Sequence, residues 1–138
     1  MVIDIDGGPL GAMLVPTELG GGAILGSGKH YMSWITRDDM VRLIDHLVKT
    51  PSISGPVNAV APTPVNNAEF TRTLARALRR PTLVKVPKRI LELLAGGFAS
   101  EILLGNQHIA PTKMLESGFV FNDKNLDSAL KTLSLIHI

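Results

Sequence analysis

Two segments of this sequence carry the same helix-start pattern, and that pattern limits the folds that the chain can adopt. Thr36 precedes Asp39 by three residues, and Asn66 precedes Glu69 by the same spacing. A short polar side chain followed by an acid three residues later resembles a capping box, which satisfies free amides in the first turn of a helix. Apolar residues at helical spacing follow each pattern. The sequence therefore predicts two amphipathic helices that begin at these positions.

Prolines, glycines and short apolar runs divide the rest of the chain. Pro51 and Pro81 mark the ends of the two capped helices, and Pro87 is well placed to begin another, which ends at Gly96-Gly97. Further helices are predicted over residues 99–104 and 125–133, with a turn through Gly105 and Pro111 between them. Strand-like stretches are predicted at the N-terminus and over residues 31–35, 57–61 and 83–86. Strands and helices alternate through the first half and helices dominate the second, which predicts an α/β fold.

The segment from Gly7 to Gly28 has a different composition from its surroundings. It is rich in glycine and apolar residues and carries few charges. Such a mixture is typical of a loop that packs over other structure. We therefore predict a covering or pocket-lining loop here.

Composition excludes several classes of function. In 138 residues there are 14 Lys and Arg against 12 Asp and Glu, so there is no basic surface to indicate nucleic-acid binding. The absence of cysteine excludes disulfides, thiolate metal sites and a cysteine nucleophile, and it favours a reducing, cytoplasmic setting. No apolar run reaches the ~20 residues that a membrane-spanning helix needs. One modest core in a soluble protein is the expectation.

Three motif tests fail in this sequence. A Walker phosphate loop ending at Lys29 would need glycine at position 23 and Ser or Thr at position 30, where Ala23 and His30 stand. No glycine fingerprint for a dinucleotide lies between a strand and a helix. A tyrosine–lysine proton relay needs a lysine four residues after the tyrosine, but Ile35 follows Tyr31, the only tyrosine, at that spacing. The chain therefore has no predicted cofactor-binding or catalytic residue.

Other candidate residues have a structural interpretation beside a functional one. Asp38 and Asp39 are interpreted as first-turn carboxylates that favour a helix N-terminus rather than as a general acid and base. Trp34, the only tryptophan, is interpreted as a core anchor rather than as a stacking platform. No two histidines have the spacing of a helical metal site, so no metal ligand is predicted; the four are His30, His46, His108 and His137.

Several segments resemble the C-terminal half of a known family, the atypical, extended short-chain dehydrogenases described as sugar-nucleotide epimerase-like. The resemblance is carried by Gly7–Leu14, Gly20–Gly28, Lys29–Asp39, Gly55–Asn58 and Ala61–Phe70, and it continues to Arg80-Pro81 and through a small C-terminal module over residues 83–133. It implies the C-terminal substrate-side part of a Rossmann-like NAD(P)-binding fold, followed by a helix-rich module. The implied divisions are residues 1–80, 81–133 and a tail over 134–138.

In this family the complete protein is about twice as long, and its N-terminal half supplies the NAD(P) turn and the tyrosine and lysine. The resemblance therefore implies a truncated gene product, a split gene or an expressed fragment. It also implies that Met13, Lys29, His30 and Trp34 face the substrate. This sequence departs from the family at His30, where glutamine is common, and at Thr36-Arg37, which replace a histidine and an aliphatic residue.

The expected function is the substrate-binding portion of an NAD(P)-dependent nucleotide-sugar epimerase-like protein, inactive alone. The alternative is a non-enzymatic binding or assembly module derived from the same family. Both predict an oligomer or association with a dinucleotide-binding half, because half of a doubly wound sheet leaves an edge and apolar faces uncovered. A nucleotide sugar or another small molecule is the expected substrate; the sequence does not choose between NAD and NADP or define the reaction.

Overall fold

The protein has an α/β fold, as the sequence predicts, with small sheets and a larger share of helix. The computed structural model describes residues 1–82, 84–95 and 104–136. Its strands are β1 (Val2–Ile3), β2 (Ala23–Leu25), β3 (Tyr31–Met32), β4 (Ile35–Thr36), β5 (Val65–Asn66) and β6 (Val84–Val86). Its helices are α1 (Gly8–Glu18), α2 (Arg37–Lys49), α3 (Asn67–Ala77), α4 (Lys88–Ala95), α5 (Thr112–Glu116) and α6 (Leu126–Ile136).

The described strands form three two-stranded sheets. Strands β1 and β4 are parallel, with Ile3 opposite Thr36, and β2 and β6 are also parallel, with Ile24 opposite Lys85. Strands β3 and β5 are antiparallel. Each parallel pair joins strands that are separated in the sequence by at least one helix, so these pairs bring distant segments of the chain together.

Two groups of buried apolar side chains hold the elements together. The first lies among β1, α1, α3 and α6, and the second lies between α2 and the segment that contains α5. The buried members of the first are Ile3, Leu10, Trp34, Ala61, Val65, Phe70, Leu74, Leu126, Ala129 and Leu130. Those of the second are Ile35, Leu43, Met114, Phe119 and Phe121. Because Trp34 and Ile35 are neighbours in the chain but belong to different groups, this short stretch connects the two cores.

The predicted loop between Gly7 and Gly28 is wrong. Helix α1 and strand β2 occupy most of this segment. A helix whose sequence is apolar on nearly all sides has no polar stripe, and without a stripe the helical period is invisible. Leu10 on this helix is buried in the first core. Its tertiary packing stabilises the helix, and local sequence patterns do not reveal such packing.

Most other predicted elements agree with the structure, with three further corrections. The stretch 57–61 is not a strand; only Ala61 of this stretch has a backbone hydrogen bond to the β3–β4 region, from its N–H to the Trp34 carbonyl. The turn predicted between Gly105 and Pro111 is followed by the short helix α5, which the sequence analysis missed. The last helix reaches Ile136 rather than ending at residue 133. The helix predicted over 99–104 and its preceding Gly96-Gly97 stop lie outside the described residues.

No helix in the described part of the chain is both long and apolar enough to cross a membrane.

Candidate functional site

A cavity of about 520 Å³ lies between the first core and the segment around residue 106. This volume falls within the range of small-molecule sites in proteins. Its described lining is mainly apolar, with methionines on several sides. The lining residues are Met1, Pro9, Met13, Thr17, Gly21, Ala23, Leu25, Tyr31, Met32, Ser33, Asn67, Thr71, Gly105 and Gln107. Most of them come from α1, β2, β3, α3 and the segment around residue 106, so the fold assembles the cavity from segments distant in the sequence.

Asn67 fixes the floor of the cavity. It is fully buried at the first position of α3, and its Oδ1 accepts a hydrogen bond of 2.8 Å from the Leu25 N–H. Its Nδ2 lies 3.6 Å from the sulfur of Met32. A buried amide with both ends engaged is held in one orientation, because leaving either end unsatisfied is costly. Asn67 therefore ties α3 to the ends of β2 and β3 around the cavity.

The segment 105–108 forms one wall of the cavity by running beside β3. The Gln107 N–H donates to the Tyr31 carbonyl at 2.9 Å, and the Tyr31 N–H donates to Oδ1 of Asn106 at 2.7 Å. Ser33 Oγ donates to the Gln107 carbonyl at 2.7 Å, and the His108 ring packs edge-on against Tyr31. These contacts explain how a segment without regular secondary structure is held against the sheet.

Sequence reasoning missed Ser33, Asn67 and Gln107 as cavity residues. Asn67 directly follows the cap Asn66, and the capping pattern alone was enough to explain polar residues at this point of the chain. Gln107 lies in the stretch 105–111, for which the sequence predicts only a turn. The one available signal was a second asparagine after the cap, because asparagine is depleted in helix interiors without a specific partner.

The four residues predicted to face substrate do not converge on the cavity. Met13 lines it from α1. Lys29 is exposed, and His30 is half-buried with its backbone carbonyl accepting from the Asn67 N–H. Trp34 is fully buried, and its indole N–H donates to the Thr63 carbonyl at 2.9 Å. The interpretation of Trp34 as a core anchor is thus confirmed, and the described lining of this cavity includes none of Lys29, His30 and Trp34. Substrate contact by any of the four stays a prediction.

The glycine turn at residues 26–28 packs tightly against the start of α3. Gly28 has a positive φ of 69°, and a Cβ there would lie 2.5 Å from Cγ2 of Ile24 and 2.8 Å from the Ala68 Cβ. The Gly28 carbonyl accepts from the Ala68 N–H at 3.0 Å. The turn is therefore filled by the chain's own atoms.

The first three amides of α3 are all occupied by groups of this chain. The Asn67 N–H donates to the His30 carbonyl, the Ala68 N–H donates to the Gly28 carbonyl, and the Glu69 N–H donates to the side chain of Asn66. Phosphate sites at helix N-termini depend on such amides being available. The start of α3 and its glycine turn therefore do not fit the pyrophosphate of a dinucleotide.

Asp39 is structural, in agreement with its interpretation as a helix-start residue. Its carboxylate is fully buried, accepts from the Asn122 N–H at 3.0 Å and from the Asp123 N–H at 2.9 Å, and pairs with Arg42. The exposed Asp38 does not share this environment. No cluster of three or more metal-ligating side chains occurs among the described residues. His137 lies outside them.

Comparison with solved structures places this fold among the epimerases of the extended short-chain dehydrogenase type. A nucleoside-diphosphate sugar epimerase from Corynebacterium glutamicum matches 97% of this chain and 25% of that chain, with a TM-score of 0.71 and 25% identity. The crystal structure of human epimerase family protein SDR39U1 (isoform2) with NADPH matches 97% of this chain and 45% of that chain, with a TM-score of 0.91 and 31% identity.

Sequence comparison gives the same assignment. An epimerase family protein of Mycobacterium bovis is 41% identical over 130 residues, which cover 94% of this chain and 43% of the relative. Human SDR39U1 is 32% identical to this chain over 133 residues. A family model described as "Domain of unknown function (DUF1731)" matches residues 86–133. The chain corresponds to the C-terminal part of the epimerase family proteins, which confirms the resemblance. It spans less than half the length of these relatives.

Proposed function

We propose that this chain is the substrate-side portion of an NAD(P)-dependent epimerase-family protein and that it acts with a dinucleotide-binding half. The observation that carries the proposal is the cavity of about 520 Å³ built mainly by α1, β2, β3, α3 and the segment around residue 106. Its size suits a small-molecule substrate, and mainly apolar walls with a few fixed polar groups are typical of such sites. The structure of the human relative contains NADPH and matches 97% of this chain, which supports the cofactor assignment.

In this proposal, the described residues shape and close the substrate site and leave the cofactor to the other half. The occupied amides of α3 and the filled turn at Gly28 support that division, since neither provides a donor for a phosphate. In the described sheets β1 pairs only with β4, so its other edge is available for a strand of the dinucleotide-binding half. Hydride chemistry would come from the bound nicotinamide, and the residues of this chain would orient the substrate and exclude water.

The test is an NADPH titration followed by fluorescence, with three samples. They are this chain alone, the N-terminal half of the Mycobacterium bovis relative alone, and the two co-expressed. We expect binding to the half and to the co-purified pair, but not to this chain alone. Tight NADPH binding by the isolated 138-residue chain would contradict the proposal.

A second candidate is a non-enzymatic assembly module, which one observation favours. Val41, Ile44 and Val48 are exposed along one side of α2, and Val48 is 78% exposed. An apolar stripe of this kind often marks a surface for association. Light scattering after size-exclusion chromatography, applied to the wild type and to Val48→Glu, separates the two candidates. If the chain is an assembly module, the wild type should be an oligomer and Val48→Glu should dissociate it. If the chain is the substrate-side portion of an enzyme, Val48→Glu should still co-purify with the dinucleotide-binding half.

A further inference from the structure

We propose that the cavity takes an uncharged, largely apolar molecule, or the apolar part of a larger substrate, rather than a nucleoside diphosphate. This inference rests on the proposed function because it assigns a substrate class to the same site. It departs from the sugar nucleotide that the sequence resemblance implies. Three features of the described walls support it: their apolar chemistry, the internal bonding of their serine and threonine hydroxyls, and their lack of cationic side chains.

The described walls of the cavity carry no acidic, basic or histidine side chain. Three of the five methionines of the chain, Met1, Met13 and Met32, contribute to the walls, together with Leu25 and Pro9. Methionine side chains are flexible and polarisable, and they adapt to irregular apolar ligands. The walls therefore offer a ligand dispersion contacts and apolar burial, with little electrostatic attraction.

The serine and threonine hydroxyls in the wall already donate their protons within the protein. Each bonds a backbone carbonyl nearby and is thereby fixed. The three bonds run from Thr17 to Met13 at 2.6 Å, from Ser33 to Gln107 at 2.7 Å, and from Thr71 to Ala23 at 3.4 Å. A ligand with several anionic oxygens needs many free donors, and these three hydroxyls do not provide them.

A diphosphate would also lack a strong cationic partner among the described walls. The one charged group there is the amino group of Met1, which donates to the Ser33 carbonyl at 2.8 Å, and burial lowers the pKa of this amine. The first amides of α3 are occupied, as described above. Bringing an ionised phosphate out of water without paired cations and hydrogen bonds is strongly unfavourable.

The methionines make a site-resolved binding experiment possible on the intact chain. Met1, Met13 and Met32 line the cavity, while Met40 and Met114 pack in the second core and serve as internal controls. Methionine labelled with carbon-13 in its methyl group gives one NMR signal for each residue. We expect benzophenone, an uncharged apolar ketone, to shift the three cavity methyls only, and UDP-glucose to leave all five in place.

The inference is overturned if UDP-glucose shifts the cavity methyls, if benzophenone shifts none of them, or if benzophenone shifts Met40 and Met114 equally. Binding of UDP-glucose at the cavity methyls would reject the apolar ligand class but leave the substrate-side function intact. Failure of the proposed function is registered separately, by NADPH binding to the isolated chain, which this experiment does not involve.

A matched pair of variants tests whether benzophenone occupies the cavity. Met13→Asp places a charge in the wall, whereas Leu19→Asp makes the same kind of change at a position that is 83% exposed and outside the cavity lining. We expect affinity to fall about tenfold or more for the first and to change less than about twofold for the second. If Met13→Asp does not fold, Ala23→Phe fills the cavity without a buried charge and must weaken binding. Unchanged affinity in a folded cavity variant contradicts the inference.

Discussion

Helices α2 and α3 begin with the same sequence pattern, yet the two helix starts have different roles in the molecule. At α2 the acid of the pattern, Asp39, turns inward and holds the backbone of residues 122 and 123. At α3 the acid Glu69 is exposed, and the neighbouring Asn67 turns inward instead to form the cavity floor. One start joins two distant segments of the chain, and the other builds a candidate binding site. The comparison shows that a local pattern fixes where a helix begins but not what its first turn contacts.

Removing the two acids should give the largest contrast between the helix starts. Asp39→Ala leaves two backbone N–H groups and Arg42 without the buried carboxylate that they bond, so we expect a loss of about 3 kcal/mol in the free energy of unfolding. Glu69→Ala removes an exposed side chain and should cost less than about 0.5 kcal/mol. Urea unfolding followed by Trp34 fluorescence measures both. Equal losses would show that the two starts do not differ in the way that their contacts indicate.

The sequence predicted both helix starts because a capping pattern is local. Thr36 and Asn66 each accept the predicted amide bond, from Asp39 and Glu69 respectively. The backbone partners of Asp39 lie more than eighty residues away, and no local signal identifies them. The same limit explains the wrong loop between Gly7 and Gly28, where burial of Leu10 stabilises a helix that has no amphipathic period.

The candidate site was less predictable than the fold for a related reason. The cavity forms where α1, β2, β3, α3 and the segment around residue 106 meet, and of the four predicted substrate-facing residues only Met13 lines it. Which side of β3 or α3 faces the cavity depends on long-range pairing, such as that of Asn67 with Leu25. Family resemblance indicated the correct region of the chain, but it could not supply the individual side chains.

A glycine substitution tests whether the start of α3 is as tightly closed as its contacts indicate. Gly28→Ala should cost about 3 kcal/mol, since it combines a left-handed backbone with close contacts to Ile24 and Ala68. Gly20 also has a positive φ, of 82°, but a Cβ there would meet nothing within 4 Å. Gly20→Ala should therefore show the backbone cost alone, about 1 kcal/mol. Thermal unfolding of both variants measures the difference, and similar values would mean that the turn relaxes away from α3.

Replacing the two capping residues should give a smaller contrast. Thr36 accepts from the Asp39 N–H and also donates to Oδ2 of Asp123 at 2.8 Å, whereas the Asn66 side chain bonds only the Glu69 N–H among the contacts described. We expect Thr36→Ala to cost about 2 kcal/mol and Asn66→Ala about 1 kcal/mol. Thr36→Ser retains the hydroxyl and is the control. If it is as destabilising as Thr36→Ala, the hydroxyl bonds are not the cause.

The end of α3 offers the smallest effect and the opposite sign. Arg79 has a φ of 55°, the Arg80 N–H bonds the Ala75 carbonyl at 2.8 Å, and the Arg79 N–H bonds the Arg76 carbonyl at 3.1 Å. These two bonds define a Schellman motif, in which the left-handed position usually holds glycine.

Arg79→Gly should therefore raise the free energy of unfolding by up to about 1 kcal/mol, because glycine adopts this conformation without a Cβ penalty. Arg80→Gly is the control, since residue 80 does not have a positive φ and glycine there only increases the entropy of the unfolded chain. Chemical denaturation should show a higher midpoint for Arg79→Gly and a lower one for Arg80→Gly. A lower midpoint for both would mean that the exposed Arg79 side chain stabilises the helix end by more than its backbone conformation costs.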